Sequence, residues 1–436
     1  MDDQDNNNMT NPNNDLDIIS PTSIPTNHTK LLDSLSLAST MTTEKRSAKR
    51  EQSLRNLFKS ITQYATFYTG KEIILSKLND TIIPFCIYGL RGGVASPSEQ
   101  YASCRVLEAT AVVIGGDQDD YCDIVYDILV KIVKATGRAA VVRGAALRAL
   151  SMAYFVCCSD SSGTDAILDL CENVASVQYR GEDVNPNLRA IALDCWALLS
   201  TTLHGVYISG DEHVGGLGED GRGIGILPLL NDCLDHANLN LRSSAGECIT
   251  LIHEARLDIG LDEDEVENTT ERKFRRGSWD GSEVEDLIDE IRHRVTELSV
   301  ESGRHMSKKD KKAQRATFRE FSSTILDDES PNEIVTFRGG TLHLKTWKEI
   351  VQLNFIRHCL QSGFQIQLMT NETLQLIFGA DASTLNTNAT MSQLEKRLTM
   401  SKTSDASKAA DREMLKRRKS KRNKQDHFLT IDGEDI

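Results

Sequence analysis

The chain has 436 residues, a net charge of −14, and 39% hydrophobic and 26% charged residues. The apolar share is below the ~45–50% of an average globular chain, so a packed core must coexist with long polar segments. No run approaches the ~18 apolar residues needed to cross a bilayer. The start, MDDQDNNNMTNPNND, lacks the basic-then-apolar pattern of a secretory signal, so the expected location is cytoplasmic, nuclear or both.

Residues 1–43 are rich in Asn, Thr, Ser and Asp with weak periodicity, and their composition predicts disorder. From residue 44 to 303 the apolar residues recur at spacings of three and four, the period of helices packed on one face. Four stretches share one pattern: QYASCRVLEATA from Gln100, RGAALRALSMAY from Arg143, RAIALDCWALLS from Arg189 and RSSAGECITLIH from Arg242. Each opens on a polar, hydrogen-bonding residue. Three positions on comes Ser103, Ala146, Ala192 or Ala245; seven on comes Leu107, Leu150, Trp196 or Ile249. Small residues at a fixed offset let helices approach closely, and the large ones fill the shared core.

Helix starts agree with the repeat. Ser96, Asn185 and Asn238 are good N-caps four residues before their leading positions, and Ser96 with Glu99 predicts a capping box. Ala139 is the exception. The leading positions lie 43, 46 and 53 residues apart, close to the ~40–47 residue period of armadillo and HEAT units. The longest gap holds a glycine-rich insertion at 205–225. Such units stack into a continuous core with a long curved surface for large partners.

An acidic and polar loop is expected over 258–281, a helix from Glu283 to Ser299, and a basic linker helix over 304–328. A small α+β module should occupy 331–380. Its strands are Glu333–Phe337 and Thr341–Leu344, followed by a helix opened by a Thr346–Glu349 capping box and a short helix ending at Gly379. Residues 383–436 read as a polar to basic tail. The expected fold class is therefore all-α: an armadillo/HEAT-like helical repeat array with a small α+β C-terminal module and disordered tails.

The charge is separated along the chain. Segment 304–319 carries +6 and segment 412–424 carries +7 within an otherwise strongly acidic chain. Lys308, Lys309, Lys311, Lys312, Arg315 and Arg319 are candidate nucleic-acid or ribosome contacts. On a helix, Lys308, Lys312, Arg315 and Arg319 form one stripe able to follow a phosphate backbone. In the tail, Lys416, Arg417, Arg418, Lys419, Lys421, Arg422 and Lys424 suit phosphate contact or nuclear import; without interleaved aromatics, base stacking is not implied.

No catalytic constellation emerges. The GxGxxG at Gly216, Gly218 and Gly221 contains Glu219 and Asp220, which repel phosphate. Gly223, Gly225 and Pro228 follow, so no helix is expected to open directly after it. His253-Glu254 lacks the second His of a zinc protease motif. The ten cysteines show no CxxC spacing and sit in apolar helical patterns, as small buried thiols in a reducing compartment would. No cofactor, metal, membrane or small-molecule substrate is implied.

In three places the chain resembles the interferon-related developmental regulator family. They are LRSSAGECITLIHEA from Leu241, KKDKKAQRATFREF from Lys308, and EIVTFRGGTLHLKTW from Glu333 followed by NETLQLIFG from Asn371. The resemblance implies an armadillo-like N-terminal domain, a family-specific C-terminal domain, and a non-enzymatic regulator that binds proteins or ribonucleoproteins. Two roles are implied. One is a translational regulator on ribosomes or rRNA; the other is a nuclear scaffold that joins chromatin-modifying proteins as a transcriptional co-regulator.

Overall fold

The computed structural model describes residues 23–158, 163–209, 221–262, 284–300, 308–337 and 340–379, all within one compact unit. Helices α1 (Ile24–Met41) and α2 (Ser47–Tyr64) form the first hairpin. Helices α3 (Phe67–Lys77) and α4 (Ile83–Gly89), joined by a π turn at Leu78–Ile82, precede α5 (Pro97–Ile114). Next come α6 (Asp119–Lys134) with α7 (Ala140–Val156), and α8 (Thr164–Ala175) with α9 (Pro186–Ser200). A single-turn α10 (Gly205–Ser209) leads to α11 (Arg222–Leu234) with α12 (Leu239–Asp262), then α13 (Glu285–Val300) with α14 (Lys308–Asp327).

Helices α2, α5, α7, α9, α12 and α14 stack in that order as one layer, and each packs on the helix preceding it in its pair. The array therefore has two more units than the four stretches legible as repeats. Arg50, Ser53 and Leu57 of α2 take the same lead, small and large positions, and so do Gln314, Thr317 and Phe321 of α14. All six leading side chains are buried: Arg50, Gln100, Arg143, Arg189, Arg242 and Gln314.

Their burial has a common cause. The last carbonyls of each preceding helix lack intrahelical partners, and cationic or amide donors can satisfy them. Arg143 Nε donates to the Val133 carbonyl at 2.9 Å, Arg189 Nε to Ala175 at 2.6 Å and Gln314 Nε2 to Leu298 at 3.3 Å. Just past the helix ends, Arg50 serves Glu44, Gln100 serves Ala95 and Arg242 serves His236. The ladder also links units: Arg50 pairs with Glu99 at 2.6 Å, and Arg242 donates to Gln314 Oε1 at 2.6 Å.

Several expectations need correction. Disorder to residue 43 fails for Ile24–Met41, where Leu31, Leu35 and Ala38 bury one stripe against α2 despite the polar composition. A helix does open directly after the GxGxxG, at Arg222 within the glycine-rich insertion, and it holds Pro228 in its interior. Gly223 is required there, because a Cβ would stand 2.6 Å from the Ile208 carbonyl oxygen. The N-terminal part of the supposed acidic loop is helical to Asp262. Only half of the Ser96 capping box forms: Ser96 Oγ accepts from the Glu99 amide at 3.1 Å, while the Glu99 carboxylate turns to Arg50 and Ser47. The basic helix is no linker. Gln314, Phe318, Phe321 and Ile325 bury it against α12 and α13 as the last member of the layer.

Strands β1 (Gln178–Tyr179) and β2 (Glu182–Asp183) form a minimal hairpin before α9, and β3 (Glu333–Phe337) pairs antiparallel with β4 (Gly340–Leu344). The Thr346–Glu349 capping box is complete and opens α15 (Trp347–Leu360). A 3-10 turn, Gln361–Gly363, leads to α16 (Phe364–Thr370) and α17 (Glu372–Ile377). This segment runs back along the stacked layer. Glu254 of α12 accepts from the Trp347 amide at 2.7 Å and the Lys348 amide at 3.1 Å, and Gln352 donates to Thr201 at 2.9 Å beside α9. Arg148 of α7 lies over the Phe355 ring, and Arg105 of α5 donates to the His358 and Cys359 carbonyls, each at 2.7 Å. Gln367 ends the path on the carbonyls of Thr62 and Ala65, at the close of α2, at 3.1 and 3.0 Å.

Candidate interaction surfaces

Helix α14 carries the first candidate set. Its apolar stripe fixes its rotation about its own axis, so the opposite side faces outward. Lys309, Lys312 and Arg319 are exposed there, while Lys311 and Arg315 are half-buried at the flank. Lys308 begins the helix. Among the described residues no carboxylate pairs with Lys309, Lys311, Lys312, Arg315 or Arg319; Arg315 Nε only donates to the Lys311 carbonyl at 3.3 Å. Some other cations of the molecule are committed to carboxylates. Arg222 ties α11 to Asp165, Asp169 and Glu172 of α8, and Arg148 pairs with Asp194 at 2.6 Å. A row of uncommitted cations on a rigid helix can receive phosphates without first breaking native pairs. The tail set, Lys416, Arg417, Arg418, Lys419, Lys421, Arg422 and Lys424, lies outside the described residues, as do Gly216 and Gly218 of the GxGxxG.

Residues that resemble catalytic parts serve structure. His253 Nε2 lies 2.8 Å from Asp328 Oδ1, clasping α12 to the end of α14. Burial nevertheless holds its pKa below the ordinary value, outweighing the carboxylate. Glu254 caps α15. Trp196 is fully buried, and its Nε1 donates to Glu172 Oε1 at 2.9 Å. The ten cysteines are free, and all but Cys158 are buried. Desolvation pushes the Cys104 and Cys195 thiols up to about 12, which suppresses the reactive thiolate. Among the described residues no group of three or more His, Cys, Asp or Glu could hold a metal ion, and no helix is long and apolar enough to cross a membrane.

Sequence reasoning missed a second feature, a groove enclosed between the layer and the returning C-terminal segment. Asp194, Glu247, Glu320, Glu329 and Glu333 line it. Burial, with Asp194 alongside, raises the Glu247 carboxyl to about 7, against the opposing pull of Arg148 and a 3.4 Å hydrogen bond from Asn354. Glu320 is raised by burial and then by Glu333. No local sequence signal points to it, since its floor, with Asp194 and Glu247, and its walls, with Glu320, Glu329 and Glu333, meet only in the fold.

A family model described as interferon-related developmental regulator matches residues 8–326, up to the last residues of α14. Interferon-related developmental regulator 1 of Mus musculus is 24% identical over 66% of this chain and 61% of its own length. The Homo sapiens protein of that name is 23% identical over the same shares. Interferon-related developmental regulator 2 of Mus musculus is 30% identical over 44% of this chain and 36% of its own length. The chain thus spans less than two thirds of the length of these relatives.

Proposed function

Because this chain belongs to the interferon-related developmental regulator family, we propose that it is a non-enzymatic regulator of translation that binds ribosomes or RNA. The row of unpaired cations on α14 carries the reading. It is held on a rigid helix by the buried Gln314, Phe318 and Phe321. Phosphate contact at such a row costs little reorganisation, and the basic residues of segment 412–424 supply further charge of the same sign. From α2 to α12 the layer is covered by the chain's own α15, α16 and α17, which moves the expected partner contacts to α14 and to the helices paired behind the layer.

Cosedimentation of the full chain with ribosomes tests this. At about 50–100 mM salt the chain should pellet with ribosomes, and it should be released as salt rises several-fold. Lys309→Glu, Lys312→Glu and Arg319→Glu combined should weaken pelleting at least about ten-fold, because a handful of phosphate contacts dominates such affinities. Pelleting that ignores both salt and charge reversal would overturn the reading. A nuclear scaffold that joins transcriptional machinery through protein contacts alone would then take its place.

A further inference from the structure

The groove described above holds about 900 Å³. Its floor is formed by α9 and α12, one wall by α14, and the other by residues 329–334 and α15. Among the described residues Arg148 is the one cation of the lining, and it is already bound to Asp194. Glu333 is paired with Arg357 at 3.3 Å and Glu247 is partly protonated near neutral pH, so the net negative lining rests on Glu320, Glu329 and part of Glu247. Strand β3 borders it with Glu333 and Ile334 and, among the described residues, pairs on one side only, with β4. Ile334, on β3, is 56% exposed although it is a large aliphatic side chain in regular structure.

A strand with one bare edge presents unpaired N–H and C=O groups, which a second extended chain satisfies most directly. The carboxylates select that chain's charge, and they repel nucleic acid. We propose that the groove receives an extended, Lys/Arg-rich segment of a partner protein, which adds to β3 as a third strand. Five residues opposite β3 would span about 17 Å, with alternate side chains directed at the carboxylates. This site is separate from the cations of α14, and the two readings stand or fall independently.

The test is fluorescence anisotropy on the full chain, with a labelled ten-residue peptide that alternates lysine and threonine. It should bind saturably, and a glutamate-for-lysine version should not bind. Glu320→Lys reverses an exposed carboxylate on the groove wall and should weaken binding at least ten-fold. Glu290→Lys, exposed on α13, should leave it unchanged. A peptide N-methylated at alternate residues keeps its charge but cannot pair as a strand, and it should also lose at least ten-fold. Equal binding by the Glu320 and Glu290 variants, both shown folded by their melts, would overturn the site. Undiminished binding of the N-methylated peptide would overturn strand addition. Binding that emerges only when the chain is ended at Gly379 would make its own basic residues, not a partner's, the occupant.

Discussion

At the scale of single residues, the repeat is written in its buried polar side chains more clearly than in its apolar ones. Gln100, Arg143, Arg189 and Arg242 were visible as leading positions because a hydrogen-bonding residue at a constant offset from small and large apolar neighbours is rare by chance. Arg50 and Gln314 obey the same rule but stand fifty and seventy-two residues from their neighbours, outside a ~40–47 residue period. The Arg50–Glu99 pair is almost fully buried, so breaking it strands a charge. Arg50→Met should cost about 3–5 kcal/mol in urea unfolding, and adding Glu99→Leu should recover part of that loss. Glu247 gives a pH test. Its folded pKa is raised from 4.5 to about 7, so the native state holds the proton more tightly than the unfolded chain. Stability from this group is intact below about pH 4.5 and falls as pH rises toward 7. Glu247→Gln should be about 1 kcal/mol more stable than the parent at pH 8 and equal to it near pH 4.5, a modest figure because the side chain keeps some solvent.

At the scale of elements, α14 shows how charge can mask packing. Its sequence displays six cations in twelve residues, and that density obscured Phe318, Phe321 and Ile325 at helical spacing. The cations were legible, but the exposed row is Lys309, Lys312 and Arg319 rather than the expected stripe through Arg315, which is half-buried; the burial of the other face, which makes the helix part of the array, was not legible. Gly246 of α12 fixes its seat. A Cβ there would stand 2.5 Å from two atoms of the Phe321 ring, which itself lies edge-on to Phe318. Gly246→Ala should cost about 1–3 kcal/mol by thermal unfolding, although alanine is the better helix former. In contrast, Lys309→Glu with Lys312→Glu should change stability by no more than about 0.5 kcal/mol, since both side chains are exposed and unpaired. Similarly, α1 was hidden in a Ser- and Thr-rich stretch, where only three apolar positions mark its buried side.

For the whole molecule, α16 was not legible, but the strands, the capping box, α15 and α17 of the C-terminal segment were readable locally. Their destination was not, because nothing in a linear pattern states which distant carbonyls Arg105 or Gln367 will meet. That destination changes how stability is distributed. A chain ending at Asp328 loses buried Trp347, Leu353, Ile356 and Phe364 and bares the layer they cover. Its melting temperature should fall by about 10 °C or more in calorimetry, where a separate appended domain would leave the array's transition unmoved. The same path sets a clock during synthesis. Gln367 is 305 residues downstream of its acceptor Thr62. At about 5–20 residues per second, a nascent first hairpin waits some 15–60 s for its lid. For that interval the growing chain carries an open seam along α2, which closes only once Gln367 has been made and can reach it.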